Sequence, residues 1–271
     1  MNYTVLGGTG FVGRHLVSQL RDAGHNVFAP NRVSGDLYVR SLQAQPLGNV
    51  VYCIGKTAEF RKRPLETVHA HVCLLRHILE TCEFDSLTYL SSTRVYRGAG
   101  LTREDATLCV SPSNSDDLYN ISKLMGESIC LSSTRRCRVA RLSNVYGADI
   151  GSENFISSVL REAAATGRVI LHTAPDSVKD YVAIEDVVRW LAMISASGKH
   201  EIYNLAAGEN TSHASLVSCL QGMGVGVTFV HDAAIVKFPR IDISCVTDEF
   251  GAPQHNILDD FSRVMDFYRR S

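Results

Sequence analysis

Residues 7–13 read GGTGFVG, set between an apolar run, YTVLG (3–7), and a helical pattern, FVGRHLVSQLRDAG, that closes at Gly24. A strand, a glycine-rich turn and a helix in that order form a cradle for a pyrophosphate. Gly7 permits the tight turn, Gly10 lets the backbone approach the phosphates, and Gly13 allows the helix to pack closely on the strand. The amides of Phe11 and Val12 face such an anion from the positive end of the helix. A glycine-rich turn without a ligand is the plain alternative; the position directly after a first strand argues against it.

Working outward, short apolar strands alternate with amphipathic helices, which predicts an α/β fold on a parallel sheet. NVFAP (26–30), NVVYCIG (49–55), LTYLSS (87–92), CRVARLS (137–143), YVAI (181–184) and IYNLA (202–206) read as strands. Helices are expected around 64–82, over DLYNISKLMGESICLSS (117–133), over SENFISSVLREAAATG (152–167) and over IEDVVRWLAMIS (184–195). From about 207 the chain mixes short strands and helices.

The 271 residues suffice for a large core, and 45% apolar with 20% charged residues is ordinary for a globular chain. A net charge of −1 gives no reason to expect nucleic acid, and RKR (61–63) and TRRCR (134–138) read as solvated faces. No apolar run reaches a membrane span: GMGVGVTFVHDAAIV (222–236) is cut by His231 and Asp232. The N-terminus opens directly into a strand, so no signal peptide is expected. Eight scattered cysteines without a CxxC pair read as reduced thiols in the cytoplasm. His69, His71 and Cys73 lie in a helical run without a ligand pattern, so they are read as helix positions and no metal is expected.

Two further stretches bear on chemistry. In Tyr119-Asn120-Ile121-Ser122-Lys123 the tyrosine and lysine lie one helical turn apart on one face. An ammonium beside a phenol favours the phenolate and makes the tyrosine a usable acid or base. Leu90-Ser91-Ser92-Thr93-Arg94-Val95-Tyr96 ends a strand in hydroxyls, where ligands bind in an open α/β sheet.

Together these stretches resemble the extended short-chain dehydrogenases/reductases, in the nucleotide-sugar-modifying branch of NAD-dependent epimerases and dehydratases. SSTRVY (91–96) resembles the branch's SSxxVYG, and RLSNVYG (141–147) its LRxxNVYGP. KDYVAIEDV (179–187) is similar to RDFxxVxDV, IYNLAAGE (202–209) to YNxGxGE, and RIDIS (240–244) to RPxDxS. The resemblance implies a Rossmann-type doubly wound sheet over 1–146, rejoined by 178–206. A small α/β substrate-binding region would come from 147–177 and 207–271. It implies Tyr119 as proton donor or acceptor, and Lys123 as the residue that holds the nicotinamide ribose and lowers the Tyr119 pKa. Ser92 would hydrogen-bond the reacting oxygen, with Thr93 and Asn144 near the substrate and Gly55 against the cofactor. A homodimer through the helices near 64–82 and 118–133 is implied as well.

The chain departs from that pattern in places. Where NAD-keeping relatives place an acid for the adenosine ribose, this chain has Pro30, Asn31 and Arg32. A guanidinium there pairs with a 2′-phosphate, so NADP(H) is favoured over NAD(H). Gly35-Asp36-Leu37 resembles the family's GDL beside the adenine, but the intervening helix and strand are missing. Asp36 therefore lies either at the adenine or near the ribose, in competition with Arg32. Lys179 replaces an arginine that grips the nucleotide-sugar pyrophosphate, keeping the charge without the fork; Asn154, at a helix start, is a second candidate for those phosphates. Thr93-Arg94 stands where 4,6-dehydratases carry Asp-Glu and where C3/C5 epimerases carry a cysteine at the second position.

These features lead to an NADPH-dependent reductase of a nucleotide-activated keto-deoxy-sugar, with a 4-keto-6-deoxyhexose expected. A nucleotide-sugar 4-epimerase that retains NAD is the alternative. A non-enzymatic dinucleotide sensor is a third reading, opposed by the intact Ser92, Tyr119 and Lys123.

Overall fold

YTVL and NVVY are apolar at consecutive positions, the pattern of strands covered on both faces. The computed structural model describes residues 1–31, 36–57, 59–152 and 154–271, and the side chains of Asp36 and Leu37 also lie outside the description. β1 (Asn2–Leu6) leads into α1 (Phe11–Asp22), which buries Leu16, Val17 and Leu20 and returns through β2 (Asn26–Phe28). α2 (Asp36–Gln43) comes next, with Tyr38 and Leu42 buried one turn apart, and leads to β3 (Asn49–Tyr52). Among the described residues no strand pairs beyond β2, in agreement with the shortened segment expected before Asp36.

α3 (Pro64–Val68) passes through a π-helical turn, His69–Cys73, into α4 (Leu74–Thr81). β4 (Ser86–Ser92) is buried almost throughout and ends in a 3₁₀ turn, Thr93–Tyr96. α5 (Leu118–Leu131), β5 (Cys137–Leu142) and β6 (Asn144–Tyr146) follow. The remainder runs α6 (Phe155–Thr166), β7 (Arg168–Thr173), β8 (Val178–Ala183), α7 (Ile184–Ser197) and β9 (Ile202–Leu205). It closes with β10 (Asn210–Ser212), α8 (His213–Gly222), β11 (Gly226–Ala234), α9 (Ser244–Phe250) and α10 (Ile257–Arg270).

Six parallel strands form the main sheet in the order β2-β1-β3-β4-β5-β9. One apolar cluster joins the sheet to α1 and α7, and another joins it to α4 and α2, so both faces are covered. The strand order reverses at β1, and a crevice is therefore expected outside the carboxyl ends of β1 and β3.

Of 178–206, β9 pairs in this sheet and α7 packs against it. β8 pairs instead with β6 and β10 in a separate three-stranded sheet. Ser143 makes the switch: its amide donates to Leu205 on the main sheet, while its hydroxyl donates to Asp180 on β8. A third cluster, built from α6, β7, α8 and α10 with Tyr146 and Tyr181, packs as a separate core. Among the described residues no helix is long and apolar enough to cross a membrane.

Candidate active site

The glycine turn has the geometry its sequence implied. Gly7 adopts φ +85°, and a Cβ there would meet the backbone of Cys53 and Ile54 at 3.0–3.1 Å. A Cβ on Gly13 would overlap the Gly7 carbonyl, so helix and turn close up only without one. Gly10 caps α1 with no side-chain hydrogen bond, and the first turn carries no acid. The amides at Phe11 and Val12 thus meet no carboxylate from their own helix turn, which fits a dinucleotide phosphate. Asn31 is exposed just past β2. Arg32 lies outside the described residues. Asp36 and Leu37 open α2, and the adenine-or-ribose alternative rests on their undescribed side chains.

Ser92, Tyr119 and Lys123 come together from the end of β4 and the first two turns of α5. Ser92 accepts the Arg94 amide at 3.2 Å, capping the 3₁₀ turn and leaving its own proton free to donate. Tyr119 and Lys123 are buried, at 3% and 5% exposure. Burial pushes the Tyr119 hydroxyl above the range of a free tyrosine, while hydrogen bonding with Thr57 and Ser92 and the charge of Arg94 pull it down. Burial draws Lys123 down to about 7, against the opposing pull of Glu127 and Cys53. Its Nζ donates to the Leu90 carbonyl at 2.8 Å. Gly55 is exposed at the mouth, and a Cβ there would stand 3.4 Å from Lys123 Nζ and 3.2 Å from His71 Nε2. The missing side chain leaves room above the lysine.

The chain matches the NAD dependent epimerase/dehydratase family over residues 3–206. It belongs to that family. No curated protein matches it significantly. Among solved structures it is similar to TunA, an NAD dependent NDP-hexosamine 5,6-dehydratase involved in tunicamycin biosynthesis, with 20% identity and a TM-score of 0.84, covering 100% of this chain and 98% of that one. It is similar to RMD from Pseudomonas aeruginosa complexed with NADPH, at 22% identity and a TM-score of 0.82, covering 100% and 99%. It is also similar to the UDP-glucuronic acid 4-epimerase of Bacillus cereus in complex with UDP-glucuronic acid and NAD, at 17% identity and a TM-score of 0.81, covering 100% and 99%. At these identities the likeness is one of fold.

The other family positions are distributed around this centre. Thr93 is buried, its hydroxyl turned to the Leu142 carbonyl at 3.5 Å. Asn144 is exposed on β6, with its amide donating to the Asp180 carbonyl at 2.8 Å. Asn154 caps α6 through the Ser157 amide and donates to Val145, so its side chain is committed to the fold and only its helix end faces outward. Lys179 lies 4.5 Å over the Phe155 ring with no carboxylate partner among the described residues; burial, and then Arg94, lower its pKa.

Two neighbours of Tyr119 were not singled out in the sequence, and a third was read there only as a helix position. Phe60 packs on its ring at 5.5 Å, and Thr57 comes from the same loop after β3. His71, read there as an ordinary helix position, projects from the π turn and meets the ring edge-on. Its Nε2 accepts the Lys56 amide at 3.2 Å, so Nδ1 carries the proton and donates to Ser122 at 2.8 Å. Ser122 donates in turn to the Tyr119 carbonyl. Burial, and then Lys123, hold this histidine down to about 2, so it stays neutral.

Behind the site, the family-like motifs are tied into one buried network. Arg141 pairs with Glu127 at 2.7 Å and donates to the Tyr96 hydroxyl at 2.6 Å. Tyr96 donates to Asn204, and Ser91 to Glu127. SSTRVY, RLSNVYG and IYNLAAGE thus meet around one arginine.

Proposed function

We propose that the protein is an NADPH-dependent reductase of a nucleotide-activated keto sugar, with a 4-keto-6-deoxyhexose as the expected substrate. The reading rests on one observation: the Ser92 and Tyr119 hydroxyls meet with Thr57 and Arg94 around them, and among the described residues no carboxylate is in contact. Eliminating water needs an acid and a base beside the reacting carbons. Delivering hydride to a carbonyl needs only a proton donor and an oxygen-binding group, and those are what this site offers.

When bound, the reduced nicotinamide supplies the hydride. The phosphates fit the uncapped start of α1, and the ribose fits over Gly55, within reach of Lys123. Ser92 holds the carbonyl oxygen, and Tyr119 gives it a proton as the alkoxide develops. Lys179 and the outward end of α6 suit the nucleotide diphosphate. Leu65 on α3 and Met125 on α5 are 84% and 51% exposed, and a homodimer through these helices would cover them.

A 4-epimerase that retains NAD is the second reading, favoured by the fold shared with UDP-glucuronic acid 4-epimerase over the whole chain. Cofactor titration and one variant separate the parts of the proposal. NADPH should bind more tightly than NADH, and Arg32→Ala should weaken NADPH about tenfold while sparing NADH. Equal native affinities would remove the NADP preference. Tyr119→Phe should keep cofactor binding and lose at least ~100-fold in turnover, and near-native turnover would overturn its assignment.

A further inference from the structure

A cation besides the lysine one turn along its helix stands against the Tyr119 ring. The Arg94 guanidinium carbon stands 5.4 Å from the centre of the Tyr119 ring and 4.9 Å from that of Phe60, lodged between loop and helix. Among the described residues the guanidinium makes no ion pair and no hydrogen bond. Asp116, the carboxylate that acts on it, is held by Arg61 at 2.6 Å and by Arg97 at 3.8 Å. Its cationic neighbours Arg61, Arg97 and Lys179 repel it rather than compensate it. A half-buried guanidinium with no direct ion pair among the described residues is costly, and negative charge developing beside it is favoured.

We propose that Arg94 is a positioning residue for proton transfer, adding positive charge beside that of Lys123 to stabilise the Tyr119 phenolate formed when the substrate oxygen takes the tyrosine proton. The inference rests on the proposed role of Tyr119 and deepens it. In that step the Tyr119 O–H bond breaks and an O–H bond forms on the sugar oxygen. The negative charge passes from the alkoxide to the phenol oxygen, and a solvent proton later restores the tyrosine. A fixed cation against the ring favours the charged form throughout, without moving.

Apart from Lys123, the other described groups facing Tyr119 add no positive charge. Thr57 and Ser92 are neutral hydroxyls, Phe60 is apolar, and His71 is neutral across the working range. Tyr89, on β4 behind the helix, adds only repulsion once the phenolate forms. Lys123, whose Nζ donates to the Leu90 carbonyl, is the second cation of the site, and Arg94 adds to it a charge that does not titrate.

The test reads the tyrosine itself. Full-length protein labelled at the tyrosine ring carbon bearing oxygen is titrated by NMR, with the Tyr119 signal assigned by its loss in Tyr119→Phe. Arg94→Gln should titrate on the order of one pH unit higher than the native protein. Arg94→Lys should restore most of the difference, which a merely structural role would not produce. Arg94→Gln titrating together with the native protein would overturn the inference. No substrate enters this experiment, so its result is independent of the sugar chemistry proposed above.

Discussion

Lys123 Nζ donates to the main-chain carbonyl of Leu90 at 2.8 Å, joining the helix of the proposed proton donor to the strand that carries Ser92. The bond gives a buried ammonium one partner where water would give three, so burial draws its pKa from 10.5 to about 7. The unfolded chain keeps the lysine protonated up to about 10.5 while the folded chain releases the proton near 7. Between those values the unfolded state binds more protons, and stability rises with pH. Denaturant titrations of native protein and Lys123→Met should therefore diverge between pH 7 and 10.5, the native protein gaining relative to the variant. Parallel profiles would show that Lys123 is as well solvated folded as unfolded.

His71 makes the opposite end of the pH range informative. Its depressed pKa means that its contribution is complete above 6.5 and is lost progressively as pH falls toward 2, since only the unfolded chain takes up the proton. One such proton changes stability by about 1.4 kcal/mol per pH unit. His71→Asn should lower stability at pH 7 and flatten the acid limb, as measured by denaturant midpoints from pH 7 down to 4. An unchanged acid limb would mean that His71 titrates freely.

Glu127 and Arg141 are each 4% exposed at the side chain and share the network that joins three motifs. Removing one partner leaves the other charge buried without compensation, which typically costs about 3–5 kcal/mol. Glu127→Ala should lower the unfolding free energy by about that amount, more than the exposed pair partner change Glu80→Ala. Similar small losses at both positions would contradict the account of the network.

Much of the fold is legible in the sequence because its signals are local. GGTGFVG specifies a turn that only glycines permit, and the consecutive apolar residues of β1 and β3 mark a sheet covered on both sides. YNISK reveals its pair through helical spacing, and Ser92 through the polar end of a strand. What escapes is tertiary. Thr57 and Phe60 reach Tyr119 from a loop with no helical or strand period, and His71 does so from a π turn that resembles ordinary helix in the sequence. Ser143 moves the chain from one sheet to another through hydrogen bonds to Leu205 and Asp180, which are distant in sequence. Arg94 is visible in the sequence only as a departure from acid or cysteine; its place over the Tyr119 ring emerges from packing.

The reduction itself can be followed by isotope. Native protein is incubated with a 4-keto-6-deoxy nucleotide sugar and NADPH carrying deuterium at the transferable position, with cofactor loss and product mass recorded together. The account predicts one deuterium in each product molecule, with NADPH consumed in equal amount and Tyr119→Phe inactive. Interconversion of two nucleotide sugars of equal mass, with no NADPH consumed and no label transferred, would contradict it and establish the epimerase instead.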